Sequence, residues 1–380
     1  MGGEKLKLIH LSDLHIGKRV NGFSMLDDQK RILEQIIGIV DAEQPDAVII
    51  AGDVYDKSVP STDAVQVFDD FLYCLSRRKI HVFVISGNHD SPERIAFGSR
   101  IMDAGGIHMS QVYGGKLNPT VLYDEWGAVD VYMLPFIKPA HVRSFRQDAE
   151  ITSYTDAVRT ALEGLPLCSE NRNVLITHQF ITNAERSESE EVSVGGADNV
   201  DADVFDGFDY VALGHIHKPQ FIGRETIRYC GTPLKYSLSE ADHNKTVTIV
   251  EMTEKGHINI RELPLLAPRE IKKLKGTFEE LTRIRELMGD DYYYITLTDE
   301  DDIPNALTRL RDFYPNLMKL DYDNKRTRTD RQVGIADDVD SKTPIKLFEE
   351  LYELQNNQPM SEEQRSYVNT LIEKIWEGSL

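Results

Sequence analysis

Five short apolar runs in this chain each end on polar residues able to bind a cation, and that repetition restricts the fold more than any other feature. Residues 7–11 lead into Asp13-Leu14-His15, and residues 47–51 into Gly52-Asp53-Val54-Tyr55-Asp56. Residues 80–86 lead into Gly87-Asn88-His89-Asp90, residues 174–177 stop at His178, and residues 210–213 run into Gly214-His215-Ile216-His217. Residues 129–134 and 246–252 read as further strands. Between the early runs, Leu33, Ile36, Ile37 and Val40 recur at helical spacing, as do Phe68, Phe71, Leu72 and Leu75. Strand–helix alternation of this kind predicts an α/β layered architecture. In open α/β sheets, ligands collect at the carboxyl ends of the strands. Five separate loops are therefore expected to deliver Asp, His and Asn to one edge.

The residue types indicate the chemistry. Carboxylate and amide oxygens together with imidazole nitrogens suit Mn²⁺, Fe or Zn²⁺. No thiolate joins them, which argues against a structural zinc site. A carboxylate can bridge two cations, and two cations a few ångströms apart can clamp a phosphoryl group. Gly52, Gly87 and Gly214 allow the tight turns and positive φ that such strand ends often need. Each piece has a plainer reading: Asp13 and His15 as a turn and a surface histidine, Asp53 after Gly52 as a turn residue, Gly87-Asn88 as a turn signal. His215 and His217 lie on one side of an extended chain, as a strand face or as a metal pair. The plain account needs five strand-end coincidences that absorb five of the 11 histidines.

Pro264 and Pro268 mark a linker at residues 265–269. A β-α-β-α-β pattern follows, in segments 270–275, 278–288, 292–298, 304–313 and 317–322. A polar stretch at 323–342 reads as lacking fixed structure. Thr343-Pro344 is an N-cap with proline at the first helical position, and Ser361 with Gln364 is a capping-box pattern. Val368, Leu371, Ile372 and Ile375 then form an apolar face with Trp376 beside it, fit for packing on its own domain or on a partner. The expected division is 1–265, 269–323, 324–342 and 343–380.

Forty-three basic against 63 acidic residues give a net charge of −20. Bulk electrostatics alone cannot then hold a nucleic acid, since Lys and Arg carry phosphate binding. Any such attraction must be local, metal-borne or supplied by a partner. Lys18-Arg19, Lys272-Lys273, Lys325-Arg326, Arg328 and Arg331 are the local basic groups, each otherwise a solvated surface. Three scattered cysteines (Cys74, Cys168, Cys230) fit a reducing cytoplasm and exclude a disulfide framework. No apolar run approaches the ~20 residues of a membrane span, and no secretory h-region opens the chain. Met1-Gly2 begins like a myristoylation signal, but Leu6 stands where Ser or Thr is required.

The ordered set Asp13-x-His15, Gly52-Asp53, Gly87-Asn88-His89, His178 and Gly214-His215-x-His217 resembles the calcineurin-like metallophosphoesterase family. Segments 9–17, 52–56, 87–91 and 347–354 resemble a narrower branch, the nuclease subunits that process DNA double-strand ends in bacteria. Archaeal and eukaryotic break-repair nucleases are similar in the same motifs. The likeness spans nearly the whole chain, with most of its specificity in the first 220 residues.

This resemblance implies a four-layer α-β-β-α sandwich with a small α+β capping domain and C-terminal helices. It implies one cation held by Asp13, His15 and His217, another by Asn88, His178 and His215, and Asp53 bridging them. Mn²⁺ is the expected metal. His89 matches the family's catalytic histidine, and Asp90 is expected to orient it. The implied reaction is metal-assisted phosphodiester hydrolysis on DNA ends, hairpins and single strands. The implied partners are DNA, an SMC-like ATPase docked on the C-terminal helices, and a second copy of the chain packed through residues 62–77 and 92–104. Lys57 and Asp90 stand where Ser/Thr phosphatases of the superfamily carry Arg and Glu, which argues against protein phosphatase activity. Two other functions fit less well: a dimetal phosphoesterase acting on small nucleotides, and a non-catalytic assembly subunit with a vestigial site.

Overall fold

The computed structural model describes residues 5–190, 198–283, 289–301, 303–324, 344–356 and 359–376. Thr343 and the basic residues Lys325, Arg326, Arg328 and Arg331 lie outside the described residues, as does nearly all of the 324–342 segment.

Two six-stranded sheets stack face to face. The first runs, in spatial order, Ile258–Pro264, Thr246–Met252, Leu6–Leu11, Ala47–Ala51, His81–Ile85 and Ile107–Met109. The second runs Gln220–Ile222, Arg224–Tyr229, Tyr210–Gly214, Arg172–His178, Gly127–Leu134 and Thr120–Asp124. The central strands of both are parallel; Thr246–Met252 and Ile258–Pro264 in the first sheet, and Gln220–Ile222 and Thr120–Asp124 in the second, pair antiparallel, whereas the edge strand Ile107–Met109 is parallel. Helices Leu26–Glu43 and Thr62–Ser76 cover the outer face of the first sheet, and Pro139–Arg143 and Tyr154–Leu162 that of the second. This is the expected four-layer α-β-β-α arrangement.

The apolar runs lack an alternating polar pattern because both faces of each central strand are covered. Leu6, Leu8, Ala47, Ile49, Phe83 and Ile85 point between the sheets, against Val174, Ile176, Tyr210 and Ala212. Their neighbours Ile9, Val48, Val82, Leu175 and Val211 point outward to the helices. Side-chain direction repeats every two residues along a strand. After Val174 and Ile176, the next inward position is His178; after Tyr210 and Ala212, it is Gly214. Strand parity thus aims His178 into the seam and puts a residue without a side chain beside it on the adjacent strand.

The third unit is a parallel sheet of Ile271–Gly276, Tyr292–Leu297 and Leu317–Tyr322, with helices Phe278–Arg283 and Ala306–Arg311 between its strands. One face packs its own core around Tyr293, Ile295, Leu310 and Tyr314. The other, with Ile271, Tyr292, Tyr294 and Met318, joins the core beneath the first sheet's helices. Asp28, on the first turn of helix Leu26–Glu43, is buried at this junction. It accepts hydrogen bonds from Tyr292 Oη (2.6 Å) and Arg269 Nη1 (2.7 Å). The C-terminal helices Pro344–Asn356 and Glu362–Trp376 pair with each other. The capping box forms: Ser361 N–H donates to Gln364 Oε1 (2.9 Å) and Gln364 N–H to Ser361 Oγ (3.2 Å).

Asp28→Ala should loosen the small sheet by about 1.5–3 kcal/mol, the worth of hydrogen bonds to a charged group. Hydrogen exchange should show lost protection in Tyr292–Leu297 while Ala47–Ala51 stays protected. Equal loss in both strands would contradict this.

Candidate metal centre

The strand-end loops are locked together before any side chain is counted. Asp13 N–H donates to Gly52 O (3.0 Å), His15 N–H to Asp53 O (2.9 Å) and Ile16 N–H to Val54 O (2.9 Å), so the first two loops stay paired beyond the sheet. Asp13, His15, Asp53 and His215 all hold positive φ, at 53°, 44°, 48° and 103°. Such strain in residues with side chains gathers at functional sites. The glycines serve two different needs. Gly52 has φ +88°, whereas Gly87 and Gly214 do not lie in the left-handed region and are required for space. A Cβ on Gly87 would sit 2.1 Å from Asp53 Oδ1, and one on Gly214 would sit 1.9 Å from Ala51 O. Positive φ, expected at all three, holds at Gly52.

All seven expected ligands converge at this edge. Asp13, His15 and His217 place one donor atom each within 4.8 Å of one another, as do Asp13, Asp53 and His178, and also His15, Asp53 and His89. His15 Nε2 lies 3.2 Å from His217 Nε2. Asn88 Oδ1 lies 3.0 Å from His178 Nε2 and 2.9 Å from His215 Nδ1. Asp53 Oδ2 stands between the two groups, 3.6 Å from His15 Nε2 and 3.3 Å from His178 Nε2.

The donor set fits cations. Ala51 O can only accept, so His178 Nδ1 (2.8 Å away) carries a proton, and once the ring is neutral, as a cation requires, its Nε2 presents a lone pair to the site. Two imidazole nitrogens facing each other across a buried gap, with carboxylate and amide oxygens around them, gain most from a shared cation. His215 Nε2 and His15 Nδ1 are buried without a hydrogen-bond partner among the described residues, Asp56 Oδ1 standing 3.9 Å from the latter. Without a cation the protonation is uneven. Burial pulls His215 down to about 3 and His15 well below the ordinary imidazole range. Burial also opposes charge on His178, but Asp53 and Asp13 outweigh it and lift it to about 9. Burial raises Asp13, while at Asp53 the facing His178 overcomes burial and holds the carboxyl well below the usual range.

His89 lies at the rim, with Nε2 4.0 Å from Asp53 Oδ2 and its backbone N–H donating to Asp53 Oδ1 (2.9 Å). Its ring is set by Asp56 O, 3.1 Å from Nδ1. The orientation expected from Asp90 is therefore made by a backbone carbonyl. Asp90 instead accepts backbone N–H groups from Gly87 (2.9 Å), Val54 (3.1 Å) and Tyr55 (3.0 Å), fastening the His89 loop to the Asp53 loop. Burial, then the Asp53 charge, pushes Asp90 up to about 6.

Sequence reasoning missed a set of supporting residues. Gln29 accepts from Gly17 N–H (2.9 Å) and donates to His15 O (2.7 Å), Leu14 O (3.2 Å) and Tyr236 Oη (3.0 Å). Ser12 Oγ donates to Asp13 Oδ2 (2.5 Å). Ser189, Glu190, Glu240 and Lys245 surround His217. Nothing in the sequence marks these last four, which sit in polar loop-like stretches.

Fold and donor set define a dimetal phosphoesterase, and the family model and the sequence relatives agree. Residues 6–219 match the model of the calcineurin-like phosphoesterase family, and residues 267–356 that of the type 5 capsule protein repressor C-terminal domain. The SbcD subunit of the SbcCD nuclease from Staphylococcus epidermidis is 30% identical over 379 residues, covering 97% of this chain and 99% of that protein. Its namesake from Staphylococcus saprophyticus is 32% identical over 321 residues, covering 83% and 84%. A dimetal phosphatase from Danio rerio aligns in structure over 69% of this chain and 97% of its own, at 12% identity and a TM-score of 0.44. The chain belongs to the calcineurin-like phosphoesterase family, in its SbcD branch. It is a metal-dependent phosphodiester hydrolase, with a site suited to two divalent cations.

Gly214→Ala should force the sheets apart where a Cβ has no room. Overpacking typically costs ~1–3 kcal/mol, and a backbone clash should exceed that. Urea unfolding should show the loss, and calorimetry should find fewer than two Mn²⁺ bound. Wild-type stability and metal uptake would contradict the packing argument.

Proposed function

We propose that this chain is the nuclease subunit of an SbcCD-type complex. It hydrolyses DNA phosphodiesters as a 3′–5′ exonuclease on duplex ends and an endonuclease on hairpins and single strands. Its role is DNA end processing in repair, recombination and replication, in the cytoplasm. The observation that carries this reading is the buried convergence of two carboxylates, one amide oxygen and four imidazoles at the carboxyl ends of both sheets. The relatives named as nuclease subunits, which cover 97% and 83% of this chain, support a nucleic acid as the substrate.

In this reading Asp13, His15 and His217 would hold one cation and Asn88, His178 and His215 the other, with Asp53 shared between them. Bound divalent ions, Mn²⁺ in this proposal, supply Lewis acidity that acidifies an attacking water and offsets charge on the phosphoryl oxygens. The remaining work falls to the chain. The Asp56 carbonyl can only accept, so His89 keeps a proton on Nδ1. Neutral His89 then has no proton on Nε2, and it must be an imidazolium to donate one to the leaving sugar oxygen. Asp90 acts as a positioning residue, because it fastens the loop on which His89 sits.

Residues 1–265 form the nuclease domain in this proposal, 269–323 a DNA-capping domain, 324–342 the connection between them and the C-terminal helices, and 343–380 a segment that docks on an SbcC-type SMC-like ATPase. Exposed Phe348, Leu351 and Tyr367 on the C-terminal helix pair support docking. Exposed Val65, Tyr73, Phe97 and Ile101 support a homodimer through the helices after the second and third motifs. A partner bearing its own DNA surface reconciles the −20 charge with a polyanionic substrate.

The test is Mn²⁺-dependent cleavage of linear and hairpin DNA, with and without the ATPase, beside small phosphoesters. Asp53→Ala should abolish cleavage. His89→Ala should keep both cations but lose ~10²–10⁴-fold in rate, the usual worth of a general acid. Wild-type rates in His89→Ala would remove His89 from the mechanism, and activity confined to small phosphoesters would contradict the nuclease reading.

A further inference from the structure

The stretch from Ser237 to Lys245 reads as a polar surface loop, yet Glu240 is fully buried and Lys245 is 4% exposed. A buried ion pair is weak evidence for stability, since desolvation offsets most of its attraction. This pair lies directly behind one expected ligand. Lys245 Nζ is 2.6 Å from Glu240 Oε2 and also donates to Thr232 Oγ1 (2.6 Å) and His217 O (2.9 Å). Glu240 Oε1 lies 2.5 Å from Ser189 Oγ and 3.4 Å from His217 Nδ1. Ser189 Oγ lies 2.7 Å from that same Nδ1. Glu190 Oε1 accepts the His217 backbone N–H at 2.7 Å. His217 is therefore gripped at its N–H, its C=O and its ring.

Proton counting gives the grip a direction. A carboxylate only accepts, so the Ser189 hydroxyl donates to Glu240 and has a lone pair left for His217. His217 must then carry its proton on Nδ1 and present a bare Nε2 to the site, 3.2 Å from His15 Nε2. Carboxylates behind metal-binding histidines fix tautomer and ring angle in this way. His178 is oriented differently, by the Ala51 carbonyl of a β-strand, which no side-chain substitution removes.

We propose that Ser189, Glu240 and Lys245 form a relay of positioning residues that sets the affinity of one cation, the one held by Asp13, His15 and His217, and leaves the other unaffected. This rests on the ligand assignment under Proposed function.

Ser189→Ala is the decisive variant, because it removes the 2.7 Å partner of His217 Nδ1 and leaves only the long 3.4 Å Glu240 contact, without leaving a buried charge unpaired, as Glu240→Gln would. Mn²⁺ binding by calorimetry and electron paramagnetic resonance on the full chain reads the outcome. The unsubstituted protein should bind two ions and show a spin-coupled pair. Ser189→Ala should bind one ion as before and the second about 10–100-fold more weakly, the usual effect of losing an outer partner. At intermediate Mn²⁺ it should show the six-line signal of an isolated ion. Its melting temperature without metal should match that of the unsubstituted protein, and Ser189→Thr, which keeps a hydroxyl, should restore the second ion. Equal weakening of both ions, or unchanged binding of both, would overturn the relay and leave the dimetal reading standing. An unsubstituted protein that takes up no Mn²⁺ would overturn both.

Discussion

The carboxyl ends of the two sheets come so close that His178 Nδ1 on one hydrogen-bonds Ala51 O on the other at 2.8 Å. Gly214 fits beside His178 because it has no side chain. Few other arrangements could bring Asp13, Asp53 and Asn88 from one sheet within bonding reach of His178, His215 and His217 from the other. The apolar layer between the sheets holds this approach, and the paired loops after the first two strands extend it past the sheet edge. The site is a product of packing, and its strained backbone persists because the surrounding structure over-determines it.

That packing has an electrostatic consequence. Asp13 and Asp53 are taken out of water together with imidazoles whose protonation is pulled in opposite directions, His178 up to about 9 and His215 down to about 3. Such a cluster is poorly satisfied by protons alone. Hard divalent cations match its oxygens and neutral nitrogens and neutralise the two carboxylates together. The same logic extends outward: one histidine borrows orientation from a strand carbonyl, and another borrows it from a buried ion pair.

Much of this is legible in the sequence, for physical reasons. Strands covered on both faces must be continuously apolar, so residues 47–51 and 210–213 announce themselves and the polar residues beyond them stand out. The spacing of Leu33, Ile36 and Val40 marks a helix just as plainly. The edge strand Ile258–Pro264 and the strand Arg224–Tyr229 next to an edge escape a sequence reading, because they mix polar and apolar residues and resemble loops. Gly87 and Gly214 stand out as necessary, but turn geometry is the wrong reason: crowding from another chain segment is invisible locally. Glu240, Lys245 and Gln29 go unmarked because burial of a polar residue depends on what folds over it. Asp90 draws notice through its place beside His89, yet its partners include backbone groups of a loop over 30 residues away.

The central claim is that two divalent cations share Asp53 at the meeting edge of the sheets. Anomalous diffraction from crystals soaked in Mn²⁺ tests it most directly. The account predicts two peaks flanking the Asp53 carboxylate, one beside His15 and His217, the other beside Asn88, His178 and His215. A single peak remote from Asp53, or none with these side chains dispersed, would contradict it.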